Sequence, residues 1–158
     1  MPLYCRSLHG LPPLCPSHGL PTLACPCCGH DPETTQHVLI CPDPCMCLEY
    51  HSKVLLLEQW LSSVNTMPEI QFCLLQGLCM EQPSLFSPFA GPTTQAAAQA
   101  QDHIGWVNLL LGQLAMEWST FQHHHLSSVS SHHTASSWAT GVITHLLSIS
   151  HSLLVFCN

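Results

Sequence analysis

Four potential metal ligands fall within seventeen residues, Cys25, Cys28, His37 and Cys41, in the order Cys-x2-Cys-x8-His-x3-Cys. Two thiolates two residues apart suit a tight turn, and Gly29 beside them tolerates the dihedrals such a turn needs. Asp31 is expected to N-cap a short helix, with Pro32 in its first position. On that helix His37 and Cys41 stand at i and i+4 and share one face. Three thiolates and one imidazole fill a tetrahedral zinc shell and leave no position for a reactive water, so the expected site is structural and not catalytic. Cys27, His30, Cys45 and Cys47 are spare donors nearby. Cys27 or His30 could replace a ligand, whereas Cys45 and Cys47 read as packing residues.

Such a site needs reduced thiols. The chain has 11 cysteines, an odd number that rules out complete internal disulfide pairing. Met1–Arg6 shows no cationic region followed by an apolar run, so no secretory signal is expected. An intracellular protein, nuclear or cytoplasmic, would keep its thiols available for metal.

The rest of the chain reads as mainly α: a small Cys3His module over 25–47, then a helical body of about four helices. Residues 1–24 are Pro-rich and aperiodic, and are expected to form an irregular arm. Val54, Leu57, Leu61 and Val64 have helical spacing, with Trp60 beside them. After Asn65, Thr66 is expected to cap a second helix carrying Ile70, Leu74 and Leu78, giving a helical hairpin over 48–81. Three prolines and a glycine mark 82–94 as a linker. A long helical segment follows over 95–122. Its strongest part is Ile104 to Phe121, where Val107, Leu110, Leu111, Leu114, Trp118 and Phe121 form one stripe weakened by Gly105 and Gly112. The His- and Ser-rich stretch 123–137 reads as a second linker, and its histidine runs as solvated residues. The last helix, in 138–158, is amphipathic, with Val142, Ile143, Leu146, Ile149 and Leu153 on its apolar face. Thr140, Thr144, His145, Ser148 and His151 interrupt it, and a membrane span is not expected.

Composition narrows the function classes. Arg6 and Lys53 are the two basic residues, and the formal net charge is −7. Phosphate backbones are bound chiefly by Lys and Arg, so weak or no nucleic-acid binding is expected. The aspartates Asp31, Asp43 and Asp102 are far apart, whereas a polymerase or nuclease centre needs converging carboxylates on its metals. No enzymatic activity is therefore expected. Low charge with many apolar residues fits docking on a protein partner or self-association.

The run CPCCGHDPETTQHVLICPDP, Cys25 to Pro44, resembles the zinc-binding region near the C-terminus of reverse-transcriptase proteins of non-LTR-type retrotransposons. It is most similar to retroelement-derived proteins of diatoms and related algae, which carry a CP-x-C, an ET-x-x-H and a terminal CP. Glu58–Leu61, Thr66 and Pro68 resemble that family's next two helices. Ile104-Gly105-Trp106, Gly112 and Glu117-Trp118 resemble its IGW…G…EW block, and Trp138–Asn158 its closing helix. The resemblance implies basic residues where this chain has Leu111, Gln113 and Cys157. Arginine is scarce while His, Cys and Gln abound. Those are the residues that deamination of methylated CpG makes from arginine codons, so a decayed element is expected.

Overall fold

The computed structural model describes residues 24–30, 34–79, 88 and 90–157. All but the last residue of the expected arm, and most of the expected linker over 82–94, lie outside the described residues. The described chain is mainly α, with seven helices and no strand.

Helix α1, Thr35–Leu39, is a single short turn. Helix α2, Pro44–Ser63, starts at Asp43, whose side chain accepts hydrogen bonds from the N–H groups of Cys45 and Met46 at 2.9 and 3.2 Å. Pro44 fits its first position because no N–H is needed there. The helix thus begins inside the stretch expected for the metal module. It ends at Asn65, whose φ of 56° sends the chain back and lets the Thr66 N–H reach the Leu61 carbonyl at 3.1 Å.

Helix α3, Pro68–Cys79, returns against α2 and buries Ile70, Leu74 and Leu78. The reversal between them is held from outside. Gln122, fully buried, accepts from the Met67 N–H at 2.9 Å and donates to the Asn65 carbonyl at 3.0 Å. Trp138 Nε1 donates to Thr66 Oγ1 at 2.9 Å. Thr66, expected as a helix cap, is therefore an acceptor for a tryptophan.

The stretch expected as one long helix is three pieces: α4, Gln95–Ile104, α5, Trp106–Leu109, and α6, Met116–Ser128. Gly105 (φ 94°, ψ 134°) ends α4, and Gly112 (φ 82°) lies in the turn after α5, both in conformations that other residues rarely adopt. Gln101, fully buried, takes over the broken backbone. It donates to the carbonyls of Gly105 and Gln113 at 3.4 and 3.1 Å, and its Oε1 accepts from the Ala115 N–H at 3.0 Å.

The expected linker over 123–137 is also largely helical. Helix α6 continues through His123, His124 and His125, because Gln122 and Leu126 beneath them are buried. Helix α7, Ala135–Cys157, begins three residues before Trp138.

Helix α7 is the centre of the packing and touches α2, α6 and α1. Trp138, Val142, Leu146, Ile149, Leu153 and Cys157 recur every three or four residues and are all buried. Each large apolar side chain so covered contributes roughly 1.5–3 kcal/mol. Among the described residues α7 alone is long and apolar enough to cross a membrane, a measure that the core helix of a soluble protein also meets.

Trp106, Trp118 and Leu146 are buried, while Trp60 is half-buried. Two of these rings sit on glycines. A Cβ on Gly77 of α3 would lie 2.1 Å from the ring of Trp106, and one on Gly141 of α7 would lie 2.2 Å from that of Trp60. Trp60 also stacks on His145 at 4.5 Å.

Candidate metal centre

The four expected ligands meet at one point. Cys25 Sγ, Cys28 Sγ, the His37 ring and Cys41 Sγ all lie within 4.8 Å of one another, close enough to bind a single metal ion. Cys25 and Cys41 are buried, His37 is half-buried, and Cys28 faces solvent.

The local backbone explains the convergence. Gly29, at φ 75°, folds the chain so that its N–H reaches the Cys25 carbonyl at 2.7 Å, and the Cys25 N–H reaches the His30 carbonyl at 2.7 Å. An added Cβ on Gly29 would meet nothing within 4 Å, so glycine is needed here for its dihedrals and not for space. This closed turn presents Cys25 and Cys28 together.

His37 comes from α1, with its Nε2 3.1 Å from Cys28 Sγ. The His30 ring stacks on it at 4.4 Å and an interplanar angle of 16°. The N-cap of α1 is Thr34, whose hydroxyl oxygen accepts from the His37 N–H at 3.1 Å. The cap expected at Asp31, with Pro32, falls outside the described residues, and Thr34 fills that role.

Cys41 is not on the helix. Helix α1 ends at Leu39, the Ile40 N–H closes it on the His37 carbonyl at 3.0 Å, and Cys41 follows in the non-helical link before Asp43 starts α2. Its Sγ lies 3.9 Å from that of Cys25. The expected i, i+4 pairing of His37 and Cys41 is thus replaced by a ligand on each side of a helix end. Both still reach the site, as the contacts of His37 with Cys28 and of Cys41 with Cys25 show.

The thiols differ electrostatically. Burial pushes the Cys25 thiol up. The N–H groups of Cys28 and Cys27 and the neighbouring thiols of Cys157 and Cys28 outweigh that and hold it below the ordinary range. Burial pushes the Cys41 thiol well up, and the neighbouring thiols of Cys28 and Cys25 add to the rise. A bound cation reverses such a rise, since metal binding requires and stabilises the thiolate.

Of the spare donors, His30 supports His37, and Cys47 Sγ lies 3.7 Å from the Cys41 carbonyl. Cys27 joins a second cluster, with Cys25 and Cys157. Cys157, at the last turn of α7, places its Sγ 3.5 Å from that of Cys25 across 132 residues of sequence. No sequence spacing signals that approach. Eight described cysteines lie outside disulfides, while Cys79 is disulfide-bonded, against the expectation of reduced thiols throughout.

No protein-family model matches this chain, and comparison with curated proteins and with solved structures gives no match either.

Proposed function

We propose that this chain is a non-catalytic helical module whose front end is folded by one structural zinc ion, held by Cys25, Cys28, His37 and Cys41. The observation that carries this reading is the convergence of those four donors within 4.8 Å. Three sulfurs and an imidazole nitrogen suit a borderline-soft cation, and four ligands close its shell. Zn–S bonds of about 2.3 Å set sulfurs about 3.8 Å apart in a tetrahedral shell. Cys25 and Cys41 stand at 3.9 Å. Cys28 and His37, at 3.1 Å, are closer than a shared ion sets them, and open slightly to admit it. Native mass spectrometry of the purified chain tests the proposal. It predicts one zinc per molecule and none in His37→Ala. A folded, metal-free wild-type protein overturns it.

The residue pattern supports reading the module as a degenerate fragment of a retroelement reverse-transcriptase protein. The supports are the CP-x-C, ET-x-x-H and CP run and the Ile104-Gly105-Trp106 to Glu117-Trp118 block. The gene's nucleotide sequence is the test. Depleted CpG, with His, Gln and Cys codons one transition from arginine codons, supports decay, and normal CpG frequency removes that argument. At a net charge of −7, binding to DNA or RNA at physiological salt is weak or nil.

A second reading, an interaction module for a protein partner or a second copy, is favoured by the exposed side chains Leu55, Leu56, Phe72, Val155 and Phe156. Sedimentation equilibrium decides whether the chain self-associates, and pelleting with liposomes tests membrane association through α7.

A further inference from the structure

The cysteine at the end of α7 stands beside the metal centre without belonging to its four-donor set. Cys157 is buried, and its Sγ lies 3.5 Å from that of Cys25, nearer than Cys41 does at 3.9 Å. Cys27, half-buried in the opposite turn, completes a group whose three sulfur atoms lie within 4.8 Å of one another. The three thiols come from two distant parts of the chain and are free of disulfides. Packing of α7 on α1 brings them together.

We propose that Cys25, Cys27 and Cys157 form a second metal site, for a soft monovalent cation of the Cu(I) class, sharing the Cys25 sulfur with the first. The donor set decides the cation. It consists of sulfur alone, which selects soft ions, and three ligands fall short of the closed four-ligand shell of structural zinc. Hard cations such as magnesium or calcium need oxygen donors, and this cluster has none. A thiolate sulfur has lone pairs for two metals, so Cys25 serves both sites. The second site ties the last turn of α7 to the first turn of the described chain. It rests on the proposed zinc centre in sharing Cys25 and in the closed turn that presents Cys25 and Cys27, but takes no donor from Cys28, His37 or Cys41.

The test uses the full-length, zinc-loaded chain, titrated anaerobically with Cu(I) against a competing Cu(I) chelator that strips weakly held copper. Native mass spectrometry counts both metals, and copper X-ray absorption reports the ligands. Wild type is expected to carry one zinc and one copper in the same molecule, with copper bound by three sulfurs. Cys157→Ser, near-isosteric at a buried position, and Cys27→Ser, at a half-exposed one, are each expected to keep zinc and bind copper at least about tenfold more weakly. A wild type without zinc marks failure of the zinc centre, whereas a zinc-loaded wild type that takes up no copper overturns this site, so the two failures give different results. Copper that enters only by expelling zinc one for one overturns the proposal. So does copper affinity unchanged in both serine variants.

Discussion

The two ends of the core are held by different means. In the first, Cys25 to Cys41, order rests on heteroatoms: a closed turn, a five-residue helix and four converging donors, with Val38 and Leu39 as its buried aliphatic side chains. In the second, α2 to α7, order rests on shape. Indole rings lie on glycines, and two buried glutamines take up the backbone groups that turns leave open. A five-residue helix is far below the length that is stable in water. On the zinc reading proposed above, the first region therefore depends on its ion, and the second does not. The difference teaches that a chain with so few charges can still fix a fold, by closing polar groups inside and by fitting rings against bare backbone.

The comparison breaks most visibly at Cys41. Cys41→Ser removes a buried ligand and is expected to abolish zinc binding and melt residues 25–41, because in such units metal binding is folding. Far-UV circular dichroism of the same variant should keep the bulk of its helical signal, since α2 to α7 share no ligand with the four-donor site. A cooperative loss of all helix would mean the two regions are one unit.

Next in size are the glycine seats. Gly77→Ala drives a methyl into the buried Trp106 ring, and overpacking of this kind typically costs 1–3 kcal/mol. The better helix propensity of alanine returns somewhat under 1 kcal/mol, so a cost at the upper end of that range, which a 2.1 Å approach to a buried ring warrants, leaves a net loss of about 2 kcal/mol by urea unfolding. Gly141→Ala should cost less, because Trp60 is half-buried and can tilt outward. Zinc content should be unchanged in both. Combining Gly77→Ala with Trp106→Phe should be less than additive if the contact is as described.

A smaller effect is expected at Gln122. Gln122→Leu keeps bulk but strands the Met67 N–H and the Asn65 carbonyl, at a cost of about 1.5 kcal/mol. Faster amide exchange at Met67 would locate the loss, and unchanged exchange there would refute the clamp.

The smallest is a pH effect. Burial raises the Tyr50 phenol above its usual value of 10.0, so the folded chain keeps a proton that the unfolded chain sheds above about that pH. Stability should then fall as pH rises past 10. The buried Cys73 thiol, raised from 9.0 by burial, adds a decline of the same sign that begins about one unit lower. Tyr50→Phe loses the hydrogen bond to the Leu78 carbonyl at 2.7 Å, costs about 1 kcal/mol at neutral pH, and removes only the upper part of the decline.

The candidate metal ligands were legible because ligand spacing is a covalent property of the chain, and Cys25, Cys28, His37 and Cys41 do converge. Helices α2, α3 and α7 were legible because each buries one apolar stripe. The breaks at Gly105 and Gly112 were not, because Ile104 and the stripe from Val107 to Phe121 read on as one helix through them. What permits the breaks is a buried amide on Gln101, which has no periodic signature. The second half of helix α6 was hidden for the opposite reason, since its histidines face outward while Gln122 and Leu126 hold the inner side. The seating of Trp106 on Gly77 and the approach of Cys157 to Cys25 are tertiary facts, and no local pattern encodes them.

The most direct test of the division between the two regions is amide hydrogen exchange on the zinc-loaded wild-type chain, before and after removal of the ion with a chelator. The account predicts that residues 25–41 lose protection on chelation, while the buried backbone around Leu57, Leu61, Trp118 and Leu146 keeps it. Uniform loss of protection across α2 to α7, or a 25–41 segment equally protected without metal, would contradict it.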